Sequence, residues 1–127
     1  MMISAEKHAL TLSRLKKRGQ FLRVARQGRK WAAPGLVLQA RRRSAQDSET
    51  EAATRVGFTV TRQVGGAVVR NRARRRLKAA ADSVLPRHAR AGMDLVLIGR
   101  AGTLGRPFVA LLADLETALR KVDAHRV

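Results

Sequence analysis

Val68-Val69-Arg70-Asn71-Arg72-Ala73-Arg74-Arg75-Arg76-Leu77-Lys78 carries six cationic side chains in eleven residues, with no acid among them. The stretch is nevertheless periodic. On a helical wheel Val69, Ala73, Leu77, Ala80 and Val84 share one arc, while Asn71, Arg72, Arg74, Arg75 and Lys78 take the remaining circumference. The spacing predicts an amphipathic helix with one face on a core and a cationic face outward. A disordered basic tail would carry charge without the stripe. These arginines are therefore expected at fixed separations, as recognition of a folded polyanion requires.

Upstream, Gly65-Gly66 breaks the chain before the helix. Ahead of it Val56, Phe58 and Val60 alternate with Gly57, Thr59 and Thr61, a strand with one buried face and an open face bearing Thr59 and Thr61. Downstream, Pro86 is expected to close the helix soon after Val84 and Leu85. Asp94-Leu95-Val96-Leu97-Ile98-Gly99 then reads as an inner strand covered on both sides. After a loop from Gly102 to Gly105, Phe108, Leu111, Leu112, Leu115, Leu119 and Val122 recur at helical spacing. That last helix has nearly balanced charge and is assigned to packing.

Toward the N-terminus, Phe21, Val24 and Ala25 mark one side of a short helix ended by Gly28. Pro34-Gly35 punctuates, and Leu36-Val37-Leu38-Gln39-Ala40 reads as a strand. Residues Arg41 to Thr54 are polar and aperiodic, and are expected to form a hairpin connection. Trp31 reads either as a stacking residue or as a cap on the core. Residues 1–13 are expected to form a partly mobile N-terminal arm, followed by a basic entry segment from Arg14 to Arg18 and a single domain over 14–127.

Composition supports the polyanion reading. The chain has 27 Lys and Arg against 9 Asp and Glu, a formal net charge of +18 on 127 residues. Self-repulsion on this scale favours an anionic partner, a nucleic acid or an anionic membrane. No carboxylate lies between Lys7 and Gln46 or between Ala52 and Ala81, so the cationic surface is regional. With 45% hydrophobic residues, three Phe and one Trp, the core is mostly aliphatic. The absence of cysteine excludes a disulfide framework and thiolate zinc sites. No apolar run approaches the roughly 18 residues of a membrane span, and no secretion signal opens the chain, so a cytoplasmic location is expected; no membrane partner is expected either, because the apolar arc of the basic helix is alanine-rich and lacks bulky anchors.

Catalytic constellations are missing. His8, His88 and His125 are far apart in sequence and share no acidic neighbour motif. The glycine-rich segment from Gly99 to Gly105 lacks the lysine placement of a phosphate-binding loop. No catalytic residue and no metal site are expected on the protein itself.

Five blocks in order then carry a resemblance: Phe21-x-x-Val24 ending in Gly28; Leu36-Val37-Leu38; Arg55-Val56-Gly57-Phe58-Thr59-Val60-Thr61-Arg62; Gly65-x-Ala67-Val68-Val69-Arg70-Asn71-Arg72-x-x-Arg75; and Asp94-Leu95-Val96-Leu97-Ile98-Gly99-Arg100. From about Arg14 to Val122 the chain resembles the protein subunit of bacterial ribonuclease P. The resemblance implies an α/β (α+β) two-layer sandwich. Its central sheet would have about four strands, in the order α-β-β-(β)-α-β-α, with a left-handed β-α-β crossover.

The implied role is to bind the catalytic RNA subunit and the 5′ leader of precursor tRNA, while the RNA cleaves the leader using magnesium ions. The protein alone would bind no cofactor and need no obligate protein partner. Arg70, Asn71, Arg72, Arg74, Arg75 and Lys78 resemble the family's contacts to the catalytic RNA, with guanidinium forks suited to phosphates. Phe21, Thr59, Thr61, Arg62, Lys16 and Lys17 are assigned to a leader-binding cleft; Phe21 reads equally as plain core. Ala25 and Gln39 stand where relatives often carry aromatics, Gln63 replaces a usual lysine, and Arg76 replaces an apolar residue. Arg76 must therefore snorkel outward or mark a local shift of packing. The alternative is a structural ribosomal RNA-binding protein, which accounts for the basic helix but not for the order of the blocks.

Overall fold

The computed structural model describes residues 10–44 and 53–126. The elements in chain order are β1 (Leu12–Arg14), α1 (Arg18–Gln27), β2 (Arg29–Ala32), β3 (Leu36–Arg42), β4 (Thr54–Val60), a 3-10 turn (Arg62–Val64), α2 (Ala67–His88), β5 (Met93–Gly99), the one-turn α3 (Gly102–Gly105) and α4 (Phe108–Lys121). The strands form one sheet in the order β1-β4-β5-β3-β2, five rather than about four. The additional members are short edges. β1 pairs with β4 only from Leu12↔Thr54 to Arg14↔Val56, and β2 is exposed along its length. Arg29 and Lys30 on β2 are the kind of charged side chains that keep an edge from pairing further. The domain boundary expected at Arg14 falls inside β1, and the arm before Leu10 lies outside the described residues.

β5 occupies the centre, parallel to β4 and antiparallel to β3, and only Ile98 on it is not fully buried, as its continuous apolar run predicts. This position corrects one expectation. β3 and β4 do not form a hairpin, because β5 lies between them in the sheet. Its residues 45–52 lie outside the described residues.

α2 and α4 cover one sheet face. Ala73, Leu77, Ala80, Ala81, Val84 and Leu85 of α2 and Leu111, Leu115, Ala118 and Leu119 of α4 meet Leu36, Leu38, Leu95 and Leu97 in one aliphatic core. Each such leucine contributes about 1.5–3 kcal/mol on burial. Phe108 escapes the stripe predicted for α4 and is 40% exposed. α1 lies on the other sheet face, where Val24 packs with Leu15 and Val96, and covers it only in part. Its last turn touches backbone: a Cβ on Gly28 would stand 2.4 Å from the Ala40 carbonyl oxygen. Gly28 thus ends the helix by close approach rather than by a left-handed conformation.

α2 also outruns its expected stop. Pro86 sits inside the helix, which continues to His88. The Pro86 carbonyl accepts from the Leu10 amide at 2.8 Å and from Arg126 Nη2 at 3.2 Å, contacts that hold this last turn from outside. At the same end of the sheet Asp94 sits opposite Arg55 on β4 and Arg41 on β3. Arg55 donates to both Asp94 oxygens at 2.7 Å, Arg43 adds a bond at 2.8 Å, and Arg41 lies 3.7 Å away. A single buried carboxylate therefore locks the register of three strands.

Candidate nucleic-acid interface

The basic helix presents five of its six predicted residues on two contiguous grooves. Arg74, Arg75, Asn71 and Lys78 line one of about 260 Å³ together with Arg14 and Phe58. Arg72 and Arg75 line the other, about 340 Å³, with Arg76, Ala79, Leu104 and Phe108. Arg75 faces both; Arg70 is half-buried one turn earlier and lines neither. Among the described residues, no carboxylate lies within ion-pair distance of Arg70, Arg72, Arg74 or Arg75. Asn71 Oδ1 accepts from Arg74 Nη1 at 2.9 Å, so the asparagine braces an arginine rather than capping the turn. The first turn of α2 has no acid and no side-chain cap, which leaves the positive end of the helix dipole within the same cationic region.

Arg76 resolves the conflict between charge and stripe. It bends under the helix to donate to the Leu104 carbonyl at 3.0 Å and the Arg106 carbonyl at 2.6 Å, with its guanidinium 5.7 Å from the Phe108 ring centre. It ties α2 to the turn before α4. Arg106 in turn donates to both oxygens of buried Asp114, at 2.6 and 3.0 Å, and that hydrogen bond raises its pKa above the ordinary arginine value.

On the opposite sheet face, Lys16, Arg18, Phe21, Leu22, Ala25, Gln39, Phe58, Thr59 and Val96 enclose a cleft of about 490 Å³. The walls have identifiable origins. Gln20 Oε1 accepts from the Lys16 and Lys17 amides at 3.0 Å each, fixing the start of α1. Gly57 leaves room for Phe21, whose Cε2 and Cζ sit 2.5 Å from where a Cβ would project. Phe21 is thus half core and half cleft. The face expected to be open is partly closed: Gly57 is buried beneath Phe21 and Thr59 is half-buried in the cleft floor.

Of the predicted cleft residues, Lys16, Phe21 and Thr59 converge, whereas Lys17, Thr61 and Arg62 are exposed outside its lining. Thr61 and Arg62 instead begin the 3-10 turn that leads into α2. Arg18, Leu22 and Phe58 join without having been assigned there. Alternation along the strand places Phe58 with the buried residues Val56 and Val60. Beyond Val56, however, β1 no longer pairs with β4, and that free edge exposes Phe58 to the cleft and to the α2 groove alike. The Arg14 guanidinium lies 5.3 Å from its ring centre. Trp31, left open between two readings, is an edge residue 38% exposed, with Lys121 Nζ 5.2 Å from its ring centre.

A more voluminous depression of about 520 Å³ lies elsewhere, bordered by Arg29, Arg41, Arg42 and Arg90. Its cations are partly consumed by the fold: Arg41 binds Gln27 and neighbours Asp94, and Arg90 lies 3.6 Å from Asp123. Among the described residues it has no aromatic wall. No helix of the described residues is long and apolar enough to cross a membrane.

The family model described as Ribonuclease P matches residues 11–123. Among curated relatives, the Ribonuclease P protein component of Paramagnetospirillum magneticum is 57% identical over 116 residues, covering 91% of this chain and 86% of its own. That of Gluconacetobacter diazotrophicus is 56% identical over 112 residues, covering 88% and 92%. The solved structure of the Staphylococcus aureus RNase P protein matches with a TM-score of 0.72 at 22% identity, over 89% of this chain and 97% of that one.

Proposed function

The chain belongs to the Ribonuclease P family, and on that premise we propose that its two cationic surfaces divide the binding between two RNAs. The α2 face seats on the catalytic RNA, and the cleft between α1 and the sheet holds the 5′ leader of precursor tRNA. RNA binding and tRNA processing come with the family; the assignment of surfaces is this chain's own reading. The observation that carries it is the position of Phe58, which walls both the α2 groove and the cleft, so that two polyanions bound there would meet across one residue.

On α2 the guanidinium forks offer paired donors to phosphate oxygens from a helix whose opposite face is fixed in the core. In the cleft, Phe21 and Phe58 supply apolar walls for unstacked bases, and Lys16 and Arg18 supply charge for the backbone between them. Ala25 and Gln39 leave less aromatic surface than a fully stacked cleft would have, so binding there depends more on charge. The chain contributes no nucleophile. Cleavage belongs to the RNA and its magnesium ions, and the cations reduce the repulsion that those ions would otherwise have to screen.

The test is reconstitution. Added to a bacterial ribonuclease P RNA at low magnesium, the chain is expected to restore cleavage of precursor tRNA. Absence of stimulation, or stimulation reproduced by an unstructured peptide of equal charge, would overturn the reading.

A further inference from the structure

Two of the three histidines, remote in sequence, are brought together at the end of the molecule away from both RNA surfaces. His88 is the last residue of α2, Glu116 lies in α4, and His125 follows α4 on the returning chain. Each offers one ligand atom, and these three atoms all lie within 4.8 Å of one another. The histidine ring centres are 5.6 Å apart, and His88 Nδ1 is 3.9 Å from Glu116 Oε1. We propose that His88, Glu116 and His125 form a binding site for one divalent ion of the zinc class, which fastens the C-terminal segment to the end of α2.

The backbone that carries the ligands is already set. Asp123 adopts a left-handed φ of 58°, which turns the chain back after α4. An isolated bridge pairs Ala89 with His125; Arg126 donates to the His88 carbonyl at 2.6 Å and Arg90 to the Ala124 carbonyl at 2.8 Å. The two histidines are thus held side by side, so little ordering remains to be done when an ion binds.

Ring chemistry points the same way. His125 Nδ1 bonds the Arg126 carbonyl at 2.6 Å, and since a carbonyl only accepts, that nitrogen carries the proton. In the neutral ring Nε2 then holds the lone pair, and it is buried and without a hydrogen-bond partner. A ligating histidine commonly has its other nitrogen bonded to a backbone carbonyl, which fixes the tautomer for the metal.

Two imidazoles and a carboxylate suit zinc and its neighbours, not magnesium, which prefers an all-oxygen shell. Tetrahedral coordination needs ligand atoms about 3.4 Å apart, so separations of up to 4.8 Å must close by up to about 1.4 Å. His88 and Glu116 have side chains 39% and 34% exposed, and can rotate that far. The opposing contact is Arg120, whose Nη2 holds Glu116 Oε1 at 3.0 Å in a solvent-exposed pair of the weak class. Glu116 Oε2 remains for an ion.

Zinc chloride titrated into the untagged full chain tests the site, read by calorimetry and by thermal unfolding. The expected result is one ion per chain, a raised melting midpoint that a chelator reverses, and no comparable shift with magnesium chloride. His125→Gln and His88→Gln should each weaken binding at least tenfold, Glu116→Gln should weaken it, and His8→Gln should leave it unchanged. Circular dichroism verifies each fold, and half-exposed His88 supplies the informative variant if His125→Gln does not fold. Failure to saturate at one site, or binding lost in His8→Gln but retained in the His88 and His125 variants, would overturn the proposal. No RNA enters the assay, so its outcome is separable from the reading of the two RNA surfaces.

Discussion

Gly57→Ala tests whether Phe21 is positioned by the sheet. The added Cβ would lie 2.5 Å from Phe21 Cε2 and Cζ and 3.2 Å from Leu15 Cβ. Carbon atoms rest at about 3.5–4.0 Å, so the ring must retreat by roughly 1–1.5 Å. The helix cannot simply lift away: Val24 is buried against Val96, and the Gly28 end abuts the Ala40 carbonyl. Phe21 therefore rotates into the cleft or the first turn of α1 rises, at an overpacking cost of about 1–3 kcal/mol. Alanine stiffens the unfolded chain and returns about 0.4–1 kcal/mol. A net loss of about 1–2 kcal/mol lowers the melting midpoint by roughly 4–8 °C in a domain of this size, measurable by circular dichroism. The reconstituted holoenzyme should lose affinity for leader-bearing precursor and keep its affinity for leaderless tRNA, because α2 lies on the other sheet face. An unchanged midpoint would refute the packing argument. An equal loss on both substrates would refute the assignment of the cleft.

Three further outcomes follow from the same geometry. Asp94→Asn removes the carboxylate between the guanidiniums of Arg55, Arg43 and Arg41 and should cost about 3–5 kcal/mol in urea unfolding; a loss below about 1 kcal/mol would show that the cluster contributes little. Arg72→Ala or Arg75→Ala should weaken binding to the RNA subunit and reduce the salt slope by about one, from about four to eight for the intact chain; a parent slope below about two would contradict phosphate contact by α2. Phe21→Ala should raise the Kd for leader-bearing substrates without affecting leaderless ones, and a uniform effect would return Phe21 to the core alone.

Local pattern revealed the elements whose residues carry their own periodicity. The stripe from Ala73 to Val84 and the apolar run of β5 needed no partner to be recognised, and both stand where expected. The short strands were hidden for the opposite reason. Arg29 to Ala32 is exposed throughout and extended only because β3 supplies the ladder, and Leu12 to Arg14 depends likewise on β4. The site divided on the same principle. Arginines grouped on one helix were legible, whereas the roles of Phe58 and Arg18 depend on where β1 stops and α1 begins. Asp94 was read as the start of a strand, and nothing local shows that three arginines from two other segments surround it. Pro86 misled because the rule for a helix stop assumes that no contacts from outside hold the following turn.

The fold also sorts its charge. The described residues include five of the nine acids, Asp82, Asp94, Asp114, Glu116 and Asp123, and each has a cationic partner. Only Asp82 meets the basic face of α2, at its last cation: Lys78 Nζ lies 3.3 Å away in an exposed pair. The carboxylates therefore neutralise arginines that shape the structure, Arg55 and Arg43 between strands and Arg106 before α4. Among the described residues, no carboxylate pairs with Arg70, Arg72, Arg74 or Arg75 on α2 or with Lys16, Lys17 or Arg18 at the start of α1, and these are the cations that the proposed RNA contacts use. Packing fixes where those cations point, since Ala73 and Leu77 are fully buried and Arg76 is bound to two carbonyls beneath the helix. A flexible chain of equal charge would release counter-ions on binding just as readily. It would lack the aromatic wall that the proposed division of two RNAs relies on, because Phe58 lines both grooves only where the strand edge is left open beyond the end of β1.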